Sequence, residues 1–214
     1  PAKKITVIYN SLPQNSCLCD KIPGSENITA FANIGQFVAW KRQDFFIDAV
    51  EKFSARNPDA QFLIVGDDIF GRDEAYKNYL LSKIHKSPYK NRIKLIGWQD
   101  NLNPVWNKIS YLVHTARSEP FGRVIIEAMA HQVAVIAADT GGTAEIIQHN
   151  ITGLLFKGDS VEDLADKMQM IYRDKNLADK LRTNGRRYVV SHFQAEQYSK
   201  KIMQAYEELL KVPK

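Results

Sequence analysis

Short, nearly uninterrupted apolar runs alternate along this chain with longer stretches in which apolar residues recur every three to four positions. Gln61–Val65, Tyr111–His114 and the runs at 93–96 and 133–137 have the length and continuity of strands buried on both faces. A further strand is predicted over 31–38, and the β-rich run 5–9 reads as another. Between them the helical period predicts helices over 44–53, about 73–85 and, more briefly, near 103–109. In the first of these, Phe45, Phe46, Ile47, Val50 and Phe53 face inward. A brief helical turn precedes Gly153, and the rest is helical: Val161–Arg173, about 177–191 and about 194–210. Residues 11–28 hold Pro13, Asn15, Ser16, Pro23, Gly24 and Ser25 with little periodicity and read as a linker or long loop. Strands alternating with amphipathic helices imply βαβ units: an α/β, Rossmann-like parallel sheet with helices on both faces. Ligands of such sheets lie beyond the carboxyl ends of the strands. Here those ends are Gly66-Asp67, Gly97-Trp98, Ser118 to Gly122 and Asp139 to Gly142.

Chemistry concentrates at one of these ends. Glu119 lies in a Pro/Gly turn, and Glu127 lies about one turn inside the helix that this turn opens. A helix start offers unpaired N–H groups and the positive end of a dipole, which suits phosphate. Ionised carboxylates make short, strong bonds to hydroxyls. Phosphate between two hydroxyl-bearing groups describes a nucleotide sugar, with ribose on one side and the transferred sugar on the other. The same residues are equally compatible with a surface pair between Arg123 and Glu127 at i,i+4.

Composition narrows the classes. The chain has 214 residues, with 44% hydrophobic and 25% charged, as for one large globular domain. The net charge of +5 comes from scattered lysines and arginines. It points to phosphate ligands, with weak contact to an anionic membrane surface as a second use, and away from nucleic acid. No run reaches the ~20 apolar residues of a membrane span. Cys17 and Cys19 read as reduced thiols of a cytosolic compartment. The start at Pro1, without Met or a secretory pattern, reads as an excised or trimmed domain. His85, His114, His131, His149 and His192 lack ligand spacing and read as surface or packing residues. Asp67-Asp68 reads as a turn, and Gly141-Gly142 as a turn whose place at a strand end favours ligand approach. An NAD-binding module is disfavoured because no G-x-G-x-x-G follows the first strand.

Read together, five blocks resemble the C-terminal, donor-binding domain of retaining GT-B glycosyltransferases, in the family four grouping that builds bacterial glycans and sucrose. They are Ile34-Gly35-Gln36-Phe37 with Lys41; Leu63 to Asp67; Ser118 to Ala130, which carries the E-x7-E signature; Gly141 to Glu145; and Thr152 to Leu155. The likeness runs over nearly the whole chain. It implies residues 1–28 as the remnant of an interdomain strand and linker, and 29–214 as the nucleotide-sugar-binding domain. Asn10 resembles the point where a first domain hands over to the second. Glu127 would bind ribose hydroxyls and Glu119 a hydroxyl of the donor sugar. Backbone N–H groups of Phe121, Gly122, Arg123 and Val124 would face sugar oxygens and diphosphate. Lys41 would neutralise the departing diphosphate, and Gly97 and Trp98 would lie against the base. Gln36, Arg42 and Gly66 complete the implied donor set.

One departure stands out. Gln36 occupies the position where the family usually has an arginine, and a glutamine donates a hydrogen bond but brings no charge. Arg42, directly after Lys41, is the available compensation. The implied partners are a UDP- or GDP-linked sugar and an N-terminal acceptor-binding domain, with no cofactor and no metal. The implied place is cytoplasmic, or peripheral on the inner face of the membrane. The competing expectation is a non-catalytic nucleotide-sugar-binding module or subunit of a glycan-synthesis complex.

Overall fold

The computed structural model describes residues 5–12 and 30–210. Its centre is a sheet of six strands: β1 Ala30–Ile34, β2 Gln61–Val65, β3 Ile93–Gly97, β4 Tyr111–His114, β5 Ala134–Ala138 and β6 Leu154–Phe156. Their order across the sheet is β3-β2-β1-β4-β5-β6, and every ladder is parallel. The helices are α1 Gln43–Ser54, α2 Glu74–Lys86, α3 Asn103–Trp106, α4 Arg123–Ala130, α5 Thr143–Ile146, α6 Val161–Arg173, α7 Lys175–His192 and α8 Ala195–Leu210.

Period-two alternation sends each central strand's side chains into two separate cores. Phe31, Phe62, Ile64, Tyr111, Val113 and Ile136 pack on one face with α1, α2 and α6. Ala32, Leu63, Val65, Leu112 and Val135 pack on the other with α3, α4 and the end of α7. Both faces being covered explains why the central strands are largely apolar. The run 93–96, expected to be buried on both faces, instead forms an edge strand that leaves Lys94, Leu95 and Ile96 exposed. The chain winds from β1 outward to β3, then returns to the other side of β1 for β4. A crevice therefore opens between the carboxyl ends of β1 and β4, where the winding reverses.

Two further expectations change. Residues 5–9 form no strand: Ile5 is 83% and Val7 70% exposed, because β-branched residues need a sheet edge to pair with and these meet none among the described residues. The segment is held by its end, where the Leu12 N–H donates to the Phe193 carbonyl at 2.8 Å. The strand expected over 31–38 stops at Ile34, and the chain then enters a short 3-10 turn, Ala39–Lys41. The rest of the linker reading, together with Cys17 and Cys19, lies outside the described residues.

Capping agrees with the sequence where it is tested most simply. The Ser160 hydroxyl accepts from the Asp163 N–H at 3.1 Å and starts α6, with Glu162 and Asp163 at the positive end of its dipole. Ser160→Ala should lower stability by about 1 kcal/mol in urea titration and leave ligand binding unchanged. The last helix differs from the others: α8 buries none of its residues, and Met203, Tyr206, Leu209 and Leu210 are exposed.

Candidate functional site

A cavity of about 470 Å³ opens at the switch point, within the size range of small-molecule sites. Each neighbouring strand end contributes to its wall. The β1 end supplies Ile34, Gly35 and Gln36, followed by Lys41; the β2 end supplies Val65 and Gly66; Trp98 and Gln99 follow β3. The loop after β4 and the first turns of α4 supply Glu119, Phe121, Gly122, Arg123, Val124 and Glu127.

Local sequence explains why this loop stands open. Gly122, at a φ of 96°, precedes α4 in the left-handed region, and no side chain caps the helix. The Ile125 N–H is taken by the Gly122 carbonyl at 2.9 Å. Those of Phe121, Gly122, Arg123 and Val124 find no partner among the described residues. Donors and dipole thus converge on the cavity. The loop is pinned from behind. The Gly142 N–H donates to the Glu119 carbonyl at 2.8 Å, and a Cβ on Gly142 would lie 2.4 Å from the Pro120 oxygen. Gly141-Gly142 therefore admits main chain, not ligand, and neither residue lines the cavity. From the front, the Tyr9 ring stacks on Phe121 at 5.8 Å, and its hydroxyl donates to Glu145 at 2.5 Å. Asn10, the next residue, joins the wall.

Lys41 is placed by a buried polar relay. Asn33, in β1, donates to the Thr115 hydroxyl at 2.9 Å, and that hydroxyl reaches the Lys41 and Arg42 carbonyls, each at 2.9 Å. The Lys41 ammonium lies 2.5 Å from Glu119 Oε2. His114, the last residue of β4, brings its Nε2 within 3.1 Å of the same oxygen.

The two carboxylates occupy opposed environments. Burial alone would raise Glu119, but hydrogen bonds from His114 and Lys41 outweigh it and hold the carboxyl at about 2. Glu127 is pushed above the usual carboxylate range by burial, which the Arg123 charge only partly offsets. Its Oε1 stands 3.7 Å from Arg123, whose side chain is 63% exposed, so this i,i+4 pair contributes little. Burial also pushes the His114 imidazole below its ordinary value, so it is neutral at pH 7. Linkage gives the two acids opposite signs. Glu119 stabilises the fold above its unfolded value near 4.5, a contribution lost as pH falls toward 2. Ionised Glu127 disfavours the fold, a cost that disappears on acidification. Glu119→Gln should accordingly flatten the fall in urea midpoint between pH 5 and pH 3. An unchanged slope would show that the carboxylate is not so held.

Of the residues expected at the site, Gln36, Lys41, Gly66, Trp98, Glu119, Phe121, Gly122, Arg123, Val124 and Glu127 meet in this one cavity. Gly97 stands behind Trp98, its carbonyl accepting from the Gly66 N–H at 2.9 Å. Arg42 is not brought in. Its guanidinium donates to the Gly158 carbonyl at 2.8 Å and to Asp159 at 2.9 Å, and it packs over the Phe45 ring. A left-handed φ of 56° at Arg42 turns the side chain off the course that Lys41 takes. The compensation expected of Arg42 is thereby withdrawn, and Arg123 is the second cation of the wall. Sequence reading missed Asn10, Gln99 and above all His114, which had passed for a packing residue. Its signal was a polar residue closing an otherwise apolar strand at a ligand-binding end. Among the described residues no group of three or more potential metal ligands occurs, and no helix is long and apolar enough to cross a membrane.

Comparison with known proteins follows the same outline. The family described as glycosyl transferases group 1 matches residues 20–188. An uncharacterized glycosyltransferase of Methanocaldococcus jannaschii is 31% identical over 208 residues, covering 95% of this chain and 53% of that protein. A lipopolysaccharide core biosynthesis mannosyltransferase of Rhizobium meliloti is 26% identical over 173 residues, 80% of this chain and 49% of that protein. Among solved structures, Anabaena HepE in complex with UDP and glucose superposes with a TM-score of 0.86 at 24% identity, over 97% of this chain and 58% of that one. The chain spans about half the length of the curated relatives it matches.

Proposed function

The chain belongs to the glycosyl transferases group 1 family, and from that premise we propose that it is the donor-binding half of a hexosyltransferase. The whole enzyme moves a sugar from a nucleoside diphosphate to a hydroxyl acceptor. One observation carries the reading: Glu119 and Glu127, one just before and one just inside an uncapped helix start, border the same cavity. The diphosphate sits at the α4 N-terminus, where unpaired N–H groups and Lys41 meet its charge. Glu127 accepts from the ribose hydroxyls and Glu119 from a hydroxyl of the transferred sugar. Trp98 and Gln99 lie toward the base. As the glycosidic bond to the diphosphate breaks, charge grows on the leaving oxygen, and these fixed donors stabilise it. Retention of anomeric configuration comes from the family resemblance alone.

A UDP-linked donor is supported by the Anabaena structure, which holds UDP and glucose; a GDP-linked donor remains the alternative. A role in bacterial cell-surface glycan synthesis is supported by the Rhizobium relative. Acceptor binding belongs to an N-terminal domain, so that this half alone binds donor and transfers little. The uncovered apolar residues of α8, with Ile5 and Val7, are surface that a second domain would bury. Weak contact with an anionic membrane from the cytoplasmic side rests on the net charge of +5.

Calorimetric titration with UDP-, GDP- and ADP-linked sugars tests the reading, and binding by none of them in a folded sample would overturn it. Binding should also weaken on acidification, because Glu127, held above the usual range by burial, loses on protonation the charge that strengthens its bonds from the ribose hydroxyls. A second reading, a non-catalytic nucleotide-sugar-binding subunit, is favoured by Gln36, which leaves Lys41 without the neighbouring arginine. The preceding coding sequence separates the two: an upstream domain of roughly 150–200 residues fits the transferase.

A further inference from the structure

His114 is buried, 2% exposed, at the carboxyl end of β4, yet it packs as more than filler. Its Nε2 meets Glu119 Oε2 at 3.1 Å, on the oxygen that also receives the Lys41 ammonium. A neutral imidazole carries one ring proton, and an ionised carboxylate only accepts. The proton between them therefore sits on Nε2, and His114 is the donor. The two donors differ in freedom. His114 sits on a central strand of the sheet, whereas Lys41 ends a flexible four-carbon stem and its ammonium also lies 4.3 Å over the Trp40 ring. A diphosphate entering beside α4 competes with Glu119 for Lys41 but does not reach the N–H of His114, which is buried behind the loop and does not line the cavity.

Building on the donor-binding reading above, we propose that His114 is the positioning residue of the sugar subsite: it holds Glu119 by Oε2 and turns Oε1 toward a hydroxyl of the transferred sugar. It keeps that hold when Lys41 swings to the diphosphate. His114 touches neither nucleotide nor sugar, so its effect is confined to ligands that carry the sugar. Among the described residues Lys41 and His114 are the two groups that fix the carboxylate, from the turn after β1 and from β4 respectively.

The test compares His114→Leu, which removes the donor, with His114→Gln, whose side-chain N–H can take the place of Nε2–H. Binding of UDP-glucose against UDP, and of GDP-mannose against GDP, is measured by calorimetry. His114→Leu should weaken the sugar-bearing member of the responding pair by on the order of tenfold and the bare nucleotide by less than about twofold. His114→Gln should recover most of the loss. Equal losses for both members, or none for either, would overturn the proposal. Two ligand-free measurements separate it from the functional reading. In the unaltered protein, nitrogen NMR of His114 should report the neutral Nε2–H tautomer at pH 7; an imidazolium or the Nδ1–H form would overturn the proposal. Carbon NMR should show the Glu119 carboxyl titrating higher in His114→Leu than in the unaltered protein, and an unmoved midpoint would likewise overturn it. Failure of every nucleotide to bind, with both NMR results as expected, sinks the functional reading and leaves the hold on Glu119 established.

Discussion

Glu127→Ala is expected to weaken UDP binding by about 1.5–3 kcal/mol, roughly a tenfold to hundredfold rise in Kd. Two hydroxyls of a ribose lose a charged acceptor whose side chain is only 18% exposed. The free protein should respond in the opposite sense. Ionised Glu127 is half-paired at best, 3.7 Å from an exposed arginine, and burial already disfavours its charge. Glu127→Gln keeps the shape and removes that penalty, so its urea midpoint should hold or rise while UDP affinity falls. A residue kept for the fold would lose stability first. If Glu127→Gln unfolds more readily and binds UDP normally, the carboxylate belongs to the α4 scaffold and not to the ligand.

A comparable loss, in stability this time, is expected at Gly66. Its φ of 140° lies where side chains are strained, and an added Cβ would stand 1.9 Å from the Gly35 oxygen. Both partners are main chain, so nothing yields cheaply. Gly66→Ala should cost about 3 kcal/mol or more in urea titration, with donor affinity falling because the β1 and β2 ends both line the cavity. Gly71→Ala is the control. Its φ of 60° is also left-handed, but a Cβ there meets nothing within 4 Å, so the cost should stay near about 1 kcal/mol. Equal losses at the two positions would mean that backbone strain alone, and not the close approach of β1 to β2, explains Gly66.

The contrast also marks what could be read from residues in order. Gln61–Val65 and Tyr111–His114 were legible to the residue because burial on both faces leaves few polar positions in a strand. The meeting of Glu119 with Glu127 was legible because eight residues of turn and helix fix their separation locally. Ile5 to Tyr9 has the same β-branched character but pairs with no edge among the described residues, and pairing of that kind is a tertiary fact. Arg42 misled for a related reason: adjacency to Lys41 says nothing of a left-handed backbone angle that turns its side chain toward Asp159. His114 and Glu119 are near neighbours, yet their bond depends on the loop folding back over the end of β4. Gly141-Gly142 carried a true signal of close approach, but sequence could not name what approaches.

The central claim is that both carboxylates face one donor across the mouth of α4. A crystal structure of this chain with UDP-glucose tests it most directly. The account predicts diphosphate oxygens against the N–H groups of Gly122 to Val124, ribose hydroxyls on Glu127, and a glucose hydroxyl on Glu119 with His114 still bound behind it. UDP-glucose bound elsewhere, or in this cavity with either carboxylate turned away from it, would contradict the account.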